Sequence, residues 1–194
     1  FTTVWDDGGL NLFSADWYGI YTAAEKSWNV EPGADGSFDN RYEQVAYGLP
    51  DKSYVNALFT LMELRNIALT YNLNDQLWKQ QLLPDSGRQL IVNNTSAAQA
   101  LAVIRKAKAI IAASRPTRNS GDINTLPFGI DWYHLIVDSR VALATVAAKY
   151  RKATSNNNAT MLNECIHTVN ALRQRYEVQK SKYRQNWLQE NQAY

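Results

Sequence analysis

Apolar positions along most of the chain recur at spacings of three and four, the pattern of helices with one buried face. Ser14 reads as a helix N-cap, with Asp16 in the first turn and Trp17, Ile20, Tyr21 and Ala24 following at helical spacing. This helix is expected to end near Trp28-Asn29, before Glu31-Pro32-Gly33. A shorter helix is predicted from about Phe38 to Tyr47, with Gly48 as its stop. Ser53 is placed to cap a long helix through about Tyr71, on which Leu58, Leu61, Met62, Leu64 and Ala68 form a stripe. Asn74 caps a further short one through Leu83, closed by Pro84.

In the second half, Ser96 and Gln99 form a capping-box pattern at the head of a helix rich in Ala, Ile and Leu, which ends near Ser114-Arg115-Pro116. After a polar loop, about Thr117 to Thr125, a helix is predicted from Pro127 to Lys152 with Ile130, Tyr133, Ile136, Val137, Val141, Leu143 and Ala144 on a broad apolar surface. Thr154 to Asn158 makes a polar connection, and a final helix runs from about Ala159 toward Gln189. Its Leu162, Cys165, Ile166, Val169, Leu172, Tyr176 and Tyr183 are spaced for one buried side. Long helices with short connections pack best as an antiparallel bundle, so the expected class is mainly α.

One segment breaks the pattern. Phe1-Thr2-Thr3-Val4-Trp5 is β-branched and aromatic, reads as a strand, and is followed by the glycine turn Asp6-Asp7-Gly8-Gly9. A lone strand cannot satisfy its own backbone groups, so the expectation is a chain cut from a longer one, just before the last strand of a sheet or barrel. The run Trp5-Asp6-Asp7-Gly8-Gly9-Leu10-Asn11 also carries chemistry: an indole beside carboxylates and an amide offers a sugar a stacking wall and hydrogen-bond partners. The competing reading places Trp5 in the core and leaves Asp6 and Asp7 to shape the turn.

Composition removes several alternatives. Lys and Arg number 20 against 18 Asp and Glu, and a net charge of +2 provides no field to hold nucleic acid. Cys165 is alone on an apolar face, and His134 and His167 stand apart, so neither a disulfide framework nor an ordinary zinc site is expected. No cofactor motif is present, and no apolar run is long enough to span a membrane. Asp16, Glu25 and Glu43 sit on predicted helices where solvated faces explain acidic residues. Asp131, His134 and Asp138 share a helical face and could form a base or a ligand set, or hold a partly buried His with its charge partner. The aromatic cluster Asp131-Trp132-Tyr133-His134 could equally be a docking surface.

The run from Trp5 to Asn11, leading into a helix with Tyr21, Ala24, Glu25 and Trp28, resembles the last barrel strand and following helix of family 20 glycoside hydrolases, the β-N-acetylhexosaminidases. Phe38-Asp39-Asn40-Arg41-Tyr42 with Gly48 resembles the stretch after the barrel, and Tyr183-Arg184-Gln185-Asn186-Trp187-Leu188-Gln189-Glu190-Asn191 resembles the closing helix. The resemblance implies a chain in two parts, 1–30 as the end of a (β/α) barrel and 31–194 as a C-terminal helical domain. It implies that Trp5 walls the sugar pocket, that Asp7 is a turn or pocket carboxylate, and that Asn11 takes the place of a Glu bonding the outer hydroxyls. Asn11 for Glu and Asp6 for Gly are departures that bear on sugar preference. The family's general acid and acetamido-orienting Asp belong to an earlier barrel strand, so this chain is expected to be inactive alone. The implied partners are an N-acetylhexosamine-bearing glycan in the intact protein and the upstream barrel, with the oligomeric state, a homodimer included, left open. The alternative from a different class is a helical glycan- or protein-binding module without catalysis.

Overall fold

The computed structural model describes residues 12–28, 35–67 and 94–191. The strand expected at 1–5, the turn at 6–9 and the helix expected at 74–83 lie outside the described residues. Those described are mainly helical, with no strand among them. A 3-10 turn at Phe13–Ala15 leads into α1 (Trp17–Trp28), followed by α2 (Asp35–Ala46), α3 (Ser53–Met62) with a 3-10 extension Glu63–Asn66, α4 (Asn94–Ala113), a 3-10 turn Asp122–Asn124, α5 (Thr125–Ser155) and α6 (Ala159–Glu190).

Helix positions follow the periodicity; several caps do not. Ser14 lies inside the 3-10 turn and turns its hydroxyl toward Thr125 and Glu190 rather than onto its own helix. Ser53 is the first residue of α3, and its Oγ finds no partner among the described residues. The free amides of that helix go instead to Asp51 Oδ1, which accepts from the Ser53 N–H at 3.2 Å, and to Glu43 Oε1, which accepts from the Val55 N–H at 2.6 Å. Regular α-geometry in α3 stops at Met62, short of the expected Tyr71. Ser96 is a buried residue in the first turn of α4, which starts at Asn94. At the other end of α5, Asn158 caps α6 by accepting from the Met161 N–H at 3.0 Å.

The main core joins α2, α3, α4 and the first half of α5. Tyr42, Tyr47 and Tyr54 close one end of it, while Ala100, Ile104 and Ala107 let α4 approach Val55, Ala57, Ile130 and Val137 closely. α1 joins through Tyr18, whose ring meets Phe38, Tyr42 and Phe59 and whose hydroxyl donates to Asp39 at 2.8 Å. α6 runs back along α5 as an antiparallel pair, with Lys149 on Glu164, Arg175 on Asp138 and Lys182 on Asp131 marking successive levels. At 31 and 32 residues these two helices are about 45 Å long, against about 30 Å for the 20 residues of α4, so their far ends overhang the core. The buried side expected on α6 is correspondingly incomplete: Cys165 and Leu172 are buried, but Ile166 is 57% and Val169 39% exposed.

No helix among the described residues is long and apolar enough to cross a membrane.

Candidate functional site

The near end of the α5–α6 pair holds a polar junction. The length of α6 carries Glu190 past the start of α5 to the 3-10 turn, whose first amides have no partner of their own. The Phe13 N–H donates to Glu190 Oε2 at 2.6 Å and the Ser14 N–H to Oε1 at 3.2 Å. The buried Ser14 hydroxyl bonds both Glu190 and the Thr125 hydroxyl. A carboxylate suits this position because the helix start is the positive end of its dipole. Burial raises the pKa of nearby Asp122, and the charge of Glu190 raises it further. A side chain at Gly121 would run into Gln189, so the α4–α5 connection also lies close against the end of α6.

Beside this junction lies a cavity of about 450 Å³, walled by Leu12, Phe128, Trp132, Tyr176 and Tyr183. Phe128 and Trp132, one turn apart on α5, lie stacked at 6.1 Å; Tyr183 meets Phe128 at 6.1 Å, and Tyr176 meets Trp132 edge-on at 6.0 Å. All four rings are only partly buried. Gly129 adds to the space, since nothing stands within 4 Å of where its Cβ would be. Glu177 and Lys180 sit at the rim, 3.6 Å apart.

The polar face of the same helix pair carries the Asp131, His134 and Asp138 set. Asp131 accepts from Lys108 at 2.5 Å and from Lys182 at 2.7 Å; burial opposes its ionisation, but these two bonds outweigh it and hold the carboxyl below its ordinary range. His134 Nε2 stands 3.7 Å from Asp138 Oδ2, and that oxygen accepts from Arg175 at 2.8 Å. These groups tie α4, α5 and α6 together, which is the ion-pair reading of the set rather than a catalytic one. The contiguous run Asp131-Trp132-Tyr133-His134 divides accordingly: Trp132 walls the cavity, Tyr133 packs on the core, and Asp131 and His134 line a polar groove. No group of three metal-ligating side chains occurs among the described residues.

Glu43 departs most from the expectation of a solvated face. It is fully buried, and while Oε1 caps α3, Oε2 has no hydrogen bond among the described residues. Burial pushes its pKa up to about 7, partly offset by the amides of Val55 and Tyr54.

Trp5, Asp7 and Asn11 lie outside the described residues, so what is seen is their continuation: Leu12, at the cavity wall, and Phe13 and Ser14, held by Glu190. Thr125, Phe128, Tyr176 and Glu190 were not singled out as site residues by the sequence. The pairing of Phe128 and Trp132 at a spacing of four was a visible signal, whereas the register that sets them against Tyr176 and Tyr183 was not. Comparison with protein families, curated proteins and solved structures finds no match.

Proposed function

We propose that this chain is the C-terminal helical region of a glycoside hydrolase that removes terminal N-acetylhexosamine, working with a catalytic (β/α) barrel and inactive without it. The observation that carries this reading is α1. It buries none of its twelve residues; Trp17, Tyr21 and Trp28 line one edge of it, and Phe13 of the preceding turn continues that edge, with ring contacts of 4.9 Å from Phe13 to Trp17 and 5.7 Å from Trp17 to Tyr21. An apolar edge left unburied within its own chain is what an outer barrel helix would show without its strands. The Trp5 to Asn11 run, which resembles the final strand and sugar-binding turn, leads directly into it. In this reading Trp5 is the stacking wall, Asp7 and Asn11 are hydrogen-bonding groups, and Glu190 holds the Phe13–Ala15 turn that follows them. The non-catalytic alternative, a glycan- or protein-binding module, draws its support from the aromatic cavity, which needs no barrel.

The test is hydrolysis of aryl N-acetylglucosaminide and N-acetylgalactosaminide. The chain joined to its barrel should turn these over, and Trp5→Ala should lower kcat/KM by roughly thirtyfold, equivalent to about 2 kcal/mol, with little loss of stability. The 194-residue chain alone should be inert. Turnover by the chain alone that vanishes on changing Asp131 or His134 would overturn the proposal.

A further inference from the structure

We infer that the cavity between α5 and α6 is a carbohydrate-binding site, taking the apolar face of a neutral pyranose ring against Trp132, Phe128 and Tyr183. The inference stands on the cavity itself and does not depend on the glycosidase reading. At about 450 Å³ the space falls within the range of small-molecule sites. Four aromatic side chains converge on it from two helices, and all are left partly exposed, so that together they make one apolar wall open to a ligand. Ring faces of this kind receive the C–H face of a sugar.

The rim selects among the ligands that would stack there. Glu177 and Lys180 lie 3.6 Å apart and offset one another, so the entrance carries no net charge. A quaternary ammonium ion would gain from the rings but would meet Lys180 beside its counter-charge, and an anion would meet Glu177. An acyl chain or an apolar peptide would gain from the rings but would make no use of the two charged groups at the rim. A neutral polyhydroxyl ligand meets no like charge and uses both rim groups: its hydroxyls accept from the Lys180 ammonium and donate to the Glu177 carboxylate while its ring covers the indole.

The experiment is a ¹⁵N-edited NMR titration of the whole chain with chitotriose, cellotriose and maltotriose in turn, each to about 10 mM, reading the tryptophan indole N–H signals. At least one sugar should shift the Trp132 signal with saturation at a Kd of about 1 mM, and leave that of Trp28, on the far exposed end of α1, in place. Trp132→Ala and Tyr183→Ser should each weaken binding by about tenfold or more. Should either variant fail to fold, the titration of the unaltered chain still decides. If no sugar moves the Trp132 signal, or if tetramethylammonium or hexanoate moves it and the sugars do not, the inference is overturned. Neither result touches the hydrolysis test, which depends on Trp5 and the barrel.

Discussion

Glu43 shows how a single buried carboxyl can set the pH response of a small domain. Its side chain is needed as a cap for the Val55 amide, but its position among Tyr42, Tyr47 and Tyr54 removes water from the charge. The folded pKa near 7 stands above the ordinary 4.5, so the folded state holds its proton more tightly than the unfolded chain does. The stability contributed is therefore fully present below the unfolded value and is lost as pH rises through 7, by up to about 3 kcal/mol for a shift of this size. Urea unfolding from about pH 5 to pH 8 should show this fall in the unaltered protein, and Glu43→Gln, which keeps the acceptor without the charge, should flatten it. A variant with the same pH slope would show that Glu43 is not the titrating group. The burial of Glu43 was not legible in the sequence, because it depends on the return of Tyr54 and Val55 to α2 rather than on anything within a helical turn of position 43.

At the scale of elements, α4, α5 and α6 were legible to within about three residues at each end, while α3 keeps regular geometry only to Met62 and not to Tyr71. The short asparagine-rich connection between α5 and α6 turns the second back along the first, and Asn157 there takes a positive φ of 49°. Caps were less legible wherever the capping group comes from another element, as Glu43 does for α3 and Glu190 for the turn before α1. Gly48 is the local signal that held: it has a φ of +67° just past the end of α2, and Thr117 lies against it where a Cβ would stand. Backbone amides of Thr117 and Arg118 donate to the Tyr47 carbonyl at 2.9 and 3.2 Å, so this contact joins the α4–α5 connection to α2. Gly48→Ala should cost about 1–2 kcal/mol from the backbone alone and more from displacing Thr117, read as a lower urea midpoint. Glu190→Ala should act differently, costing about 1–2 kcal/mol and speeding hydrogen exchange at Ser14 and its neighbours while amides in α4 stay protected. Equal loss of protection in α4 would mean that the junction is part of the global core and not a separate clamp.

For the whole molecule, the distribution of aromatic residues separates two kinds of surface. The rings of the cavity face one another across two helices, whereas Trp17, Tyr21 and Trp28 lie along a single edge of α1, and at its end Trp28 is 91% exposed. Helical spacing in the sequence discloses Trp17, Ile20, Tyr21 and Ala24 as one face of α1, but spacing cannot tell whether a face is covered by the same chain. Tyr18 and Glu25, on the adjacent face, are occupied by Asp39 and Arg41 of α2, and Tyr21 meets Tyr42 at 5.8 Å, so α2 takes one side of α1 and leaves Trp28 open. A side chain as exposed as Trp28 contributes little to the stability of the chain alone, and Trp28→Ala should change its unfolding free energy by no more than about 0.5 kcal/mol. If α1 is the outer helix of a barrel, the same substitution in the barrel-bearing protein removes a covered indole and should cost about 3–5 kcal/mol. The comparison therefore reads the docking of α1 without reference to catalysis. Equal and negligible effects in both proteins would mean that the stripe stays open to solvent, and the barrel assignment of α1 would fall even if the longer protein proved to be an active glycosidase.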